Sequence, residues 1–321
     1  MRILHISDLH FGVEVSKERT GGETPVRSYD INDLTANLGG ITETEPLDYI
    51  FITGDIVYTA TEAAYEEAGR WLARLSKTCD VPTDRIYLSL GNCDSGQTGA
   101  ENPRRYDDFC RSMGLPSYVM GRKENYTAGV AVTPHMNVIC LDAKWFGENG
   151  ADNGSREAVF ELEQRIRKEQ GFTKGRPVIL FMHHAVSGRC GDRAVKDSGG
   201  ICACEELCGM ADMVLTDHAH GRENSCGYQS SAYICKNGAI YQTDTTYCYF
   251  HIYEWDHAGQ GPIACSRTVY RFDGMERNRE ANRLKLTTYN SKVPYIRIEN
   301  GEAKAAKKPL QYSFSVLWWT R

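Results

Sequence analysis

Residues Arg2–His10 have the sequence RILHISDLH, a short and largely apolar run that ends in an acidic and an imidazole side chain. The run predicts a buried β-strand that delivers Asp8 and His10 at its carboxyl end. Side chains two residues apart on an extended chain point to the same face, so one carboxylate and one imidazole leave the strand together. Such a pair suits a metal ion, although taken alone it is also typical of an ordinary loop.

Four further segments place metal-type side chains directly after a predicted strand. They are Gly54-Asp55 after 47–53, Gly91-Asn92-Cys93-Asp94 after 85–90, His183-His184 after 177–182, and Asp217-His218-Ala219-His220 after 211–216. Helical spacing of apolar residues predicts helices over 30–38, 61–77, 103–113 and 156–169, with Asp30 as the cap of the first. Strands that alternate with helices favour a sheet with helices packed on it, and ligands collect at the carboxyl ends of such strands. The alternative interpretation of Asp55 and Asn92 is that of turn residues without further chemistry.

The side chains in these segments are carboxylates, an amide and imidazoles, which suit Mn, Fe, Ni or Zn ions. One carboxylate can bridge two such ions about 4 Å apart, with a water shared between them. A pair of this kind makes a hydroxide nucleophile at neutral pH and clamps a phosphoryl group for in-line attack. The pattern therefore favours phosphoester hydrolysis at a dinuclear centre.

The five motifs, in this order, resemble those of the calcineurin-like metallophosphoesterases over about residues 1–272. The resemblance implies an α/β fold, a four-layer α-β-β-α sandwich of two mixed sheets packed face to face with helices outside. It also implies two divalent ions, one held by Asp8, His10, Asp55 and His220, the other by Asp55, Asn92, His183 and His218. Asp94 matches the last position of the family's Gly-Asn-His-Asp motif and would orient its neighbour without touching an ion.

Cys93 departs from the family pattern, which usually has a histidine that contacts the phosphate and protonates the leaving group. A thiol, with an ordinary pKa of about 8.5, is a poorer general acid at neutral pH. Family members with Gly-Asn-Cys-Asp are associated with phosphodiester hydrolysis, so we predict a phosphodiesterase whose catalytic residues are Cys93, Asp94, Asn92 and Asp55. Asp217 is a milder departure, because the family usually has glycine there.

Three further residues are predicted to bind substrate. His184 follows a predicted ligand and either lines the pocket or packs. Arg189 and Arg222 come shortly after ligand segments, and arginine pairs with phosphate through two hydrogen bonds, although solvated surface charges are the alternative. Weaker candidates of the same kind are Arg27, Arg104 and Arg105.

The region between 190 and 226 is rich in cysteine, namely Cys190, Cys202, Cys204, Cys208 and Cys226. An additional zinc site is one interpretation, but the spacing is not that of a zinc ribbon, so free thiols that shape the pocket rim are favoured. The start of the chain lacks a secretion signal, and no apolar run reaches the length of a membrane span. We therefore expect a cytoplasmic protein without a membrane partner, in which the twelve cysteines are reduced.

The 321 residues carry a net charge of −5, unevenly distributed. Residues 274–321 contain ten Lys/Arg against four Asp/Glu, which leaves a net charge of −11 on residues 1–273. We predict a metallophosphoesterase domain over 1–273 and a basic C-terminal extension over 274–321. The extension is interpreted as a packed hairpin, with a protein-binding strand, the start of a further domain, or a surface for single-stranded nucleic acid as alternatives.

The predicted function is hydrolysis of phosphodiesters by a metal-bridging hydroxide, with a cyclic nucleotide, a nucleic-acid end or another small diester as substrate. One alternative is a nuclease acting on DNA or RNA ends, which predicts salt-sensitive binding. The other is a non-catalytic scaffold of the same fold, which predicts eroded ligands. All seven predicted ligand residues are present, which disfavours the scaffold.

Overall fold

The computed structural model describes residues 1–15, 26–27, 30–95, 102–116, 128–141, 176–183, 211–217, 226–229, 232–236, 240, 247–256, 264–278, 283–293, 298–299, 302–303 and 313–315. The helices are α1 (Ile31–Thr42), α2 (Glu62–Cys79), α3 (Asn92–Ser95) and α4 (Asn102–Ser112). The strands are β1 (Arg2–Ile6), β2 (Glu14–Val15), β3 (Val26–Arg27), β4 (Tyr49–Ile52), β5 (Ile86–Leu88), β6 (Ala128–Val132), β7 (Asn137–Leu141), β8 (Val178–Met182), β9 (Met213–Thr216), β10 (Cys226–Gln229), β11 (Ala232–Lys236), β12 (Tyr247–Asp256), β13 (Ala264–Asn278), β14 (Arg283–Val293), β15 (Ile298–Glu299), β16 (Glu302–Ala303) and β17 (Ser313–Ser315).

Two large mixed sheets dominate the described residues. The first has the strand order β17-β14-β13-β12-β1-β4-β5, in which β1, β4 and β5 are parallel and the strands on the β12 side are antiparallel. The second has the order β10-β11-β9-β8-β7-β6, with a parallel centre and an antiparallel pair at each edge. The prediction of an α/β fold with two mixed sheets and helices is confirmed.

The two sheets share a core made by alternate residues of their strands. Ile3 and Phe51 of the first sheet face Phe181 of the second, and the rings of Phe51 and Phe181 lie 5.1 Å apart edge to face. Their chain neighbours point away from this interface because side chains alternate along a strand. Because the sheets pack face to face, the carboxyl ends of strands in one sheet lie beside those of strands in the other. The site described below lies at these strand ends.

Helices cover the outer face of the first sheet. Leu4 and Ile50 of that sheet pack in one buried cluster with Trp71 of α2, whose indole N–H donates to Thr35 Oγ1 of α1 at 2.8 Å. Asp30 caps α1 as predicted, because its side chain accepts the backbone N–H of Asn32. The helix predicted over 156–169 lies outside the described residues. In the part of the chain that the structure describes, no helix has both the length and the apolar character that crossing a membrane requires.

Several short strands are predicted over residues 231–271, where β11 is short with 5 residues but β12 and β13 are longer than predicted. β12 spans 10 residues and β13 spans 15, and the two pair along the whole length of β12. β13 runs across the predicted boundary between residues 273 and 274, and β14 extends the same sheet beyond it. The division into a domain over 1–273 and an extension over 274–321 stays a prediction.

The contact between α1 and α2 gives a first testable prediction. A Cβ at Gly39 would lie 2.6 Å from Cγ2 of Thr78, a β-branched side chain that rotates only at a cost. Overpacking of this kind costs about 1–3 kcal/mol, so Gly39→Ala is expected to lower the free energy of unfolding, as measured by urea denaturation.

Gly69→Ala in α2 is the matched control. Its Cβ would lie 3.3 Å from the flexible sulfur of Met113, and alanine in a helix is favoured over glycine by about 0.5–1 kcal/mol. A Gly39→Ala protein as stable as the Gly69→Ala protein would contradict the packing described for α1.

Candidate metal centre

The predicted ligands follow the strands at the edge where the two sheets meet. Asp8 and His10 come after β1, and Asp55 comes after β4, the parallel neighbour of β1. Asn92 follows β5, and His183 directly follows β8 of the second sheet. The structure brings these five side chains together, as the strand-end argument predicts.

The backbone at these residues is held in an uncommon conformation. Asp8, His10 and Asp55 have φ angles of 53°, 47° and 50°, in the left-handed region that costs a residue other than glycine of order 1–3 kcal/mol. Two backbone hydrogen bonds join the loops after β1 and β4. The His10 N–H donates to the Asp55 carbonyl at 3.0 Å, and the Asp8 N–H donates to the Gly54 carbonyl at 3.2 Å. Strain of this kind at the predicted ligands supports the interpretation of this edge as a functional site.

A first group of ligand atoms is formed by Asp8, His10 and Asp55. His10 Nε2 lies 3.6 Å from Asp8 Oδ1 and 3.8 Å from Asp55 Oδ2. All three residues are buried, with exposed fractions of 0%, 2% and 1%. They match the described members of one predicted metal site, whose remaining ligand, His220, lies outside the described residues.

A second group is formed by His183, Asn92 and Asp55. His183 Nε2 lies 3.0 Å from Asn92 Oδ1 and 3.3 Å from Asp55 Oδ2. Nδ1 of the same ring lies 2.8 Å from the Thr53 carbonyl, which accepts hydrogen bonds and does not donate them, so Nδ1 carries a proton. When Nε2 carries no proton, its lone pair points toward these two oxygen atoms, and a cation between the three electron-rich atoms would fit the arrangement.

The electrostatics of this group agree with a cation site. Burial opposes a charge on His183, but the carboxylate of Asp55 outweighs burial and raises the pKa of His183 to about 10. The protein alone thus keeps a proton between the imidazole and the carboxylate. A divalent ion, which carries more positive charge than this proton and binds neutral imidazole, would be held by His183 in place of the proton.

Asp55 lies between the two groups. Its Oδ1 accepts the backbone N–H of Cys93 at 2.9 Å, and its Oδ2 faces the imidazoles of His10 and His183. Burial by itself would raise the pKa of Asp55, but His183, His10 and the Cys93 N–H together hold that pKa well below its ordinary value. The carboxylate is therefore ionised and presents one oxygen to both ligand groups.

Asp94 joins the two loops that carry Asp55 and Asn92. Its Oδ1 accepts the N–H of Val57 at 3.0 Å, and its Oδ2 accepts the N–H of Gly91 at 2.8 Å. Burial, followed by the nearby charge of Asp55, raises the pKa of Asp94 to about 7 against the effect of these N–H groups. Asp94 therefore supports the neighbouring residues by hydrogen bonds to the backbone of both loops. A catalytic role for Asp94 stays a prediction.

Cys93 is half-buried beside the two groups. Burial raises the pKa of its thiol well above the ordinary value, and the charges of Asp55, Asp94 and Asp8 add to the rise. The Asn92 side-chain amide donates to its sulfur at 3.6 Å. The thiol is therefore neutral at pH 7 in the absence of a bound cation.

Two residues that sequence reasoning missed position the ligands. The Thr53 carbonyl accepts both His183 Nδ1 and, at 3.0 Å, the Ser7 hydroxyl, while its own Oγ1 lies 2.9 Å from His5 Nε2. Ser7 Oγ also lies 2.5 Å from Asp8 Oδ2. Both residues sit between a strand and its ligand in the sequence, which is the one local signal that identifies them.

Several predicted residues lie outside the described part of the chain. They are the metal ligands His218 and His220, the substrate-binding residues His184, Arg189 and Arg222, and the cysteines Cys190, Cys202, Cys204 and Cys208. No disulfide joins the cysteines whose side chains the structure describes, which are Cys79, Cys93, Cys110, Cys140, Cys235, Cys248 and Cys265. Arg105 donates to the Ala60 carbonyl at 2.9 Å and lines a groove of about 700 Å³ that α2 and α4 form together.

Comparison with solved structures supports the fold. The chain is similar to a dimetal phosphatase from Danio rerio, with a TM-score of 0.50 and 13% identity over 83% of this chain and 95% of that one. It is also similar to purple acid phosphatase PPD1 from yellow lupin (Lupinus luteus) seeds, with a TM-score of 0.50 and 12% identity over 86% of this chain. The match covers 52% of the lupin enzyme, so this chain spans about half of that enzyme's length.

Comparison of sequences identifies the family. No curated protein sequence matches the chain. The family model described as calcineurin-like phosphoesterase matches residues 1–220, a stretch that contains every motif from Asp8 to His220. Because this match covers more than half of the 321 residues, and because the fold and the clustered ligands agree with it, the protein belongs to the calcineurin-like phosphoesterase family.

Proposed function

We propose that this protein is a dinuclear metal-dependent phosphodiesterase. The observation that carries the proposal is the position of Asp55 Oδ2, which lies 3.8 Å from His10 Nε2 and 3.3 Å from His183 Nε2. The two imidazoles belong to different ligand groups, so the carboxylate between them is suited to bridge two ions. Family membership supports hydrolysis of a phosphoester as the reaction.

In this proposal each ligand group holds one divalent ion, Mn, Fe, Ni or Zn. His220 completes the group of Asp8 and His10, and His218 completes the group of Asn92 and His183. Two ions bound in this way supply an activated water and neutralise the charge of the phosphoryl group. The protein supplies the bridging carboxylate, the buried imidazoles and loops held rigid by backbone hydrogen bonds.

Cys93 is the reason for preferring a diester. A neutral thiol offers neither the positive charge of an imidazolium nor a strong acid, and a phosphodiester carries one negative charge fewer than a fully ionised monoester. The Asn92 amide, whose oxygen faces His183, has N–H groups that suit a phosphate oxygen. We propose a nucleotide or another small phosphodiester as the natural substrate, with His184, Arg189 and Arg222 as its contacts.

A paired assay tests the proposal. The full chain, stripped of metal and reloaded with Mn²⁺, is given bis-p-nitrophenyl phosphate and p-nitrophenyl phosphate side by side. We expect the diester to be hydrolysed faster than the monoester, and Asp55→Asn to abolish both activities because the bridging charge is lost. Asp30→Asn is the matched control, since the exposed cap of α1 is far along the chain from every ligand and asparagine caps a helix equally well.

Two outcomes would contradict the proposal. Monoester hydrolysis equal to or faster than diester hydrolysis would refute the diesterase preference and the role given to Cys93. Bound Mn²⁺ without turnover of either ester would favour the non-catalytic scaffold. A nuclease would instead hydrolyse DNA or RNA ends and bind them in a salt-sensitive manner.

A further inference from the structure

The thiol of Cys93 belongs to a third set of potential ligand atoms at this edge. His10, Asp55 and Cys93 each offer one ligand atom, and these atoms all lie within 4.8 Å of one another. The set shares Asp55 with the group of Asp8, Asp55 and His183, whose atoms meet the same criterion. His10 and Asp55 are buried while Cys93 is half-buried, so an ion can reach the set from the side of the thiol.

Backbone hydrogen bonds hold the turn that carries Cys93, so its thiol stays near His10 and Asp55. The Cys93 N–H donates to Asp55 Oδ1, and the Gly91 N–H donates to Asp94 Oδ2 at the start of the same turn. Cysteine has a single side-chain rotation that moves its sulfur, so directing this sulfur at an ion sacrifices little conformational freedom. The structure thus presents the sulfur to the site at low entropic cost.

The three donors differ in chemical softness from the oxygen-rich groups described above. An imidazole nitrogen, a carboxylate oxygen and a thiolate sulfur form a typical zinc donor set, and thiolate selects soft ions over Mn²⁺. Ligand atoms around one tetrahedral zinc lie about 3.5 Å apart. The ligand atoms of His10, Asp55 and Cys93 would therefore have to approach one another by about 1 Å to bind one zinc ion together.

We propose that Cys93 is a metal ligand that, together with His10 and Asp55, binds a thiophilic ion such as Zn²⁺ or Cd²⁺. On binding, the S–H bond breaks, the sulfur keeps its electron pair and forms the bond to the ion, and the proton passes to solvent. Mn²⁺ leaves the thiol protonated. The diesterase preference proposed above rests on the neutral thiol and is assayed with Mn²⁺, whereas the ligation concerns Zn²⁺ or Cd²⁺, so the two proposals are tested separately.

Cadmium binding to the full chain tests this assignment. The metal-stripped protein is titrated with ¹¹³Cd²⁺, and the thiolate-to-cadmium charge-transfer absorption and the ¹¹³Cd NMR spectrum are recorded for wild type and Cys93→Ser. We expect one cadmium resonance to shift and the affinity of that site to fall by at least about 10-fold in the variant. Mn²⁺ affinity is expected to stay as in wild type, because Mn²⁺ does not use the sulfur.

Cys110→Ser is the matched control, because this half-buried free thiol lies on α4 outside both ligand groups. It is expected to leave every cadmium resonance in place. Cys93→Ala, whose folding is checked by circular dichroism, serves if the serine variant does not fold. Identical ¹¹³Cd spectra and cadmium affinities for wild type and a folded Cys93 variant would overturn the assignment.

Discussion

Replacing Gly91 with alanine is expected to lower diester turnover by about 100-fold or more while both sheets stay folded. A Cβ at Gly91 would overlap Oδ1 and the backbone nitrogen of Asp55 and would lie 2.8 Å from its Cγ. The backbone nitrogen cannot swing aside as the end of a long side chain can, so the loop that carries Asp55 must move. Asp55 Oδ2 would then leave its position between His10 and His183, and a displacement of about 1 Å at a reacting centre costs about 100-fold in rate.

The comparison for Gly91→Ala is Gly69→Ala, which adds the same methyl group against Met113 on α2, away from the ligands. Turnover of bis-p-nitrophenyl phosphate and calorimetric Mn²⁺ affinity are measured for both variants. Gly69→Ala is expected to leave both the turnover and the Mn²⁺ affinity as in wild type. Wild-type turnover and Mn²⁺ affinity in Gly91→Ala would show that the close approach of the two loops does not position Asp55.

Asp94→Asn is expected to lower the free energy of unfolding by about 1–3 kcal/mol and to weaken Mn²⁺ binding. Asp94 is fully buried, and its two oxygens accept the N–H groups of Val57 and Gly91. Asparagine keeps one acceptor and turns an NH₂ donor toward the other N–H, which leaves a buried donor without an acceptor. An unsatisfied buried donor costs about 1–3 kcal/mol, which sets the size of the expected loss.

Asp30→Asn is the control for this substitution, because it exchanges the same groups at an exposed helix cap where both residues cap well. A change within about 0.5 kcal/mol is expected there. Urea unfolding of the metal-free proteins gives the stability, and Mn²⁺ titration gives the affinity. If Asp94→Asn unfolds at the same urea concentration as wild type, the two hydrogen bonds do not hold the loops together.

The strand-end pattern was sufficient to predict the positions of most described ligands. Asp8, Asp55 and Asn92 follow parallel strands of the first sheet, which bring their carboxyl ends to one edge. His183 follows β8 of the second sheet and comes beside them because the two sheets pack together. Thr53 could not be predicted in the same way. Its carbonyl receives a hydrogen bond from His183, 130 residues away, and no local pattern encodes a contact of that range.

The prediction of several short strands over residues 231–271 was wrong for β12 and β13 for a physical reason. Turn-forming residues divide that part of the sequence, whereas the length of a strand depends on the neighbour that it pairs with. β13 continues to Asn278 because β14 pairs with it on both sides of a register shift between Phe272 and Arg277. The sequence of β14 is largely polar and does not predict a strand. Its pairing with β13 decides its conformation.

In the proposed centre with two ions, the carboxylate of Asp55 that both ions share would link their affinities thermodynamically. An ion in the first group orients Oδ2 for the second but also uses part of its negative charge, so the coupling free energy is the difference between these two effects. Linkage is reciprocal, so the first ion alters the affinity for the second by the same factor as the second alters it for the first. A substitution at His10 would therefore change the affinity of an ion beside His183, and the larger of the two effects would decide whether that affinity rises or falls.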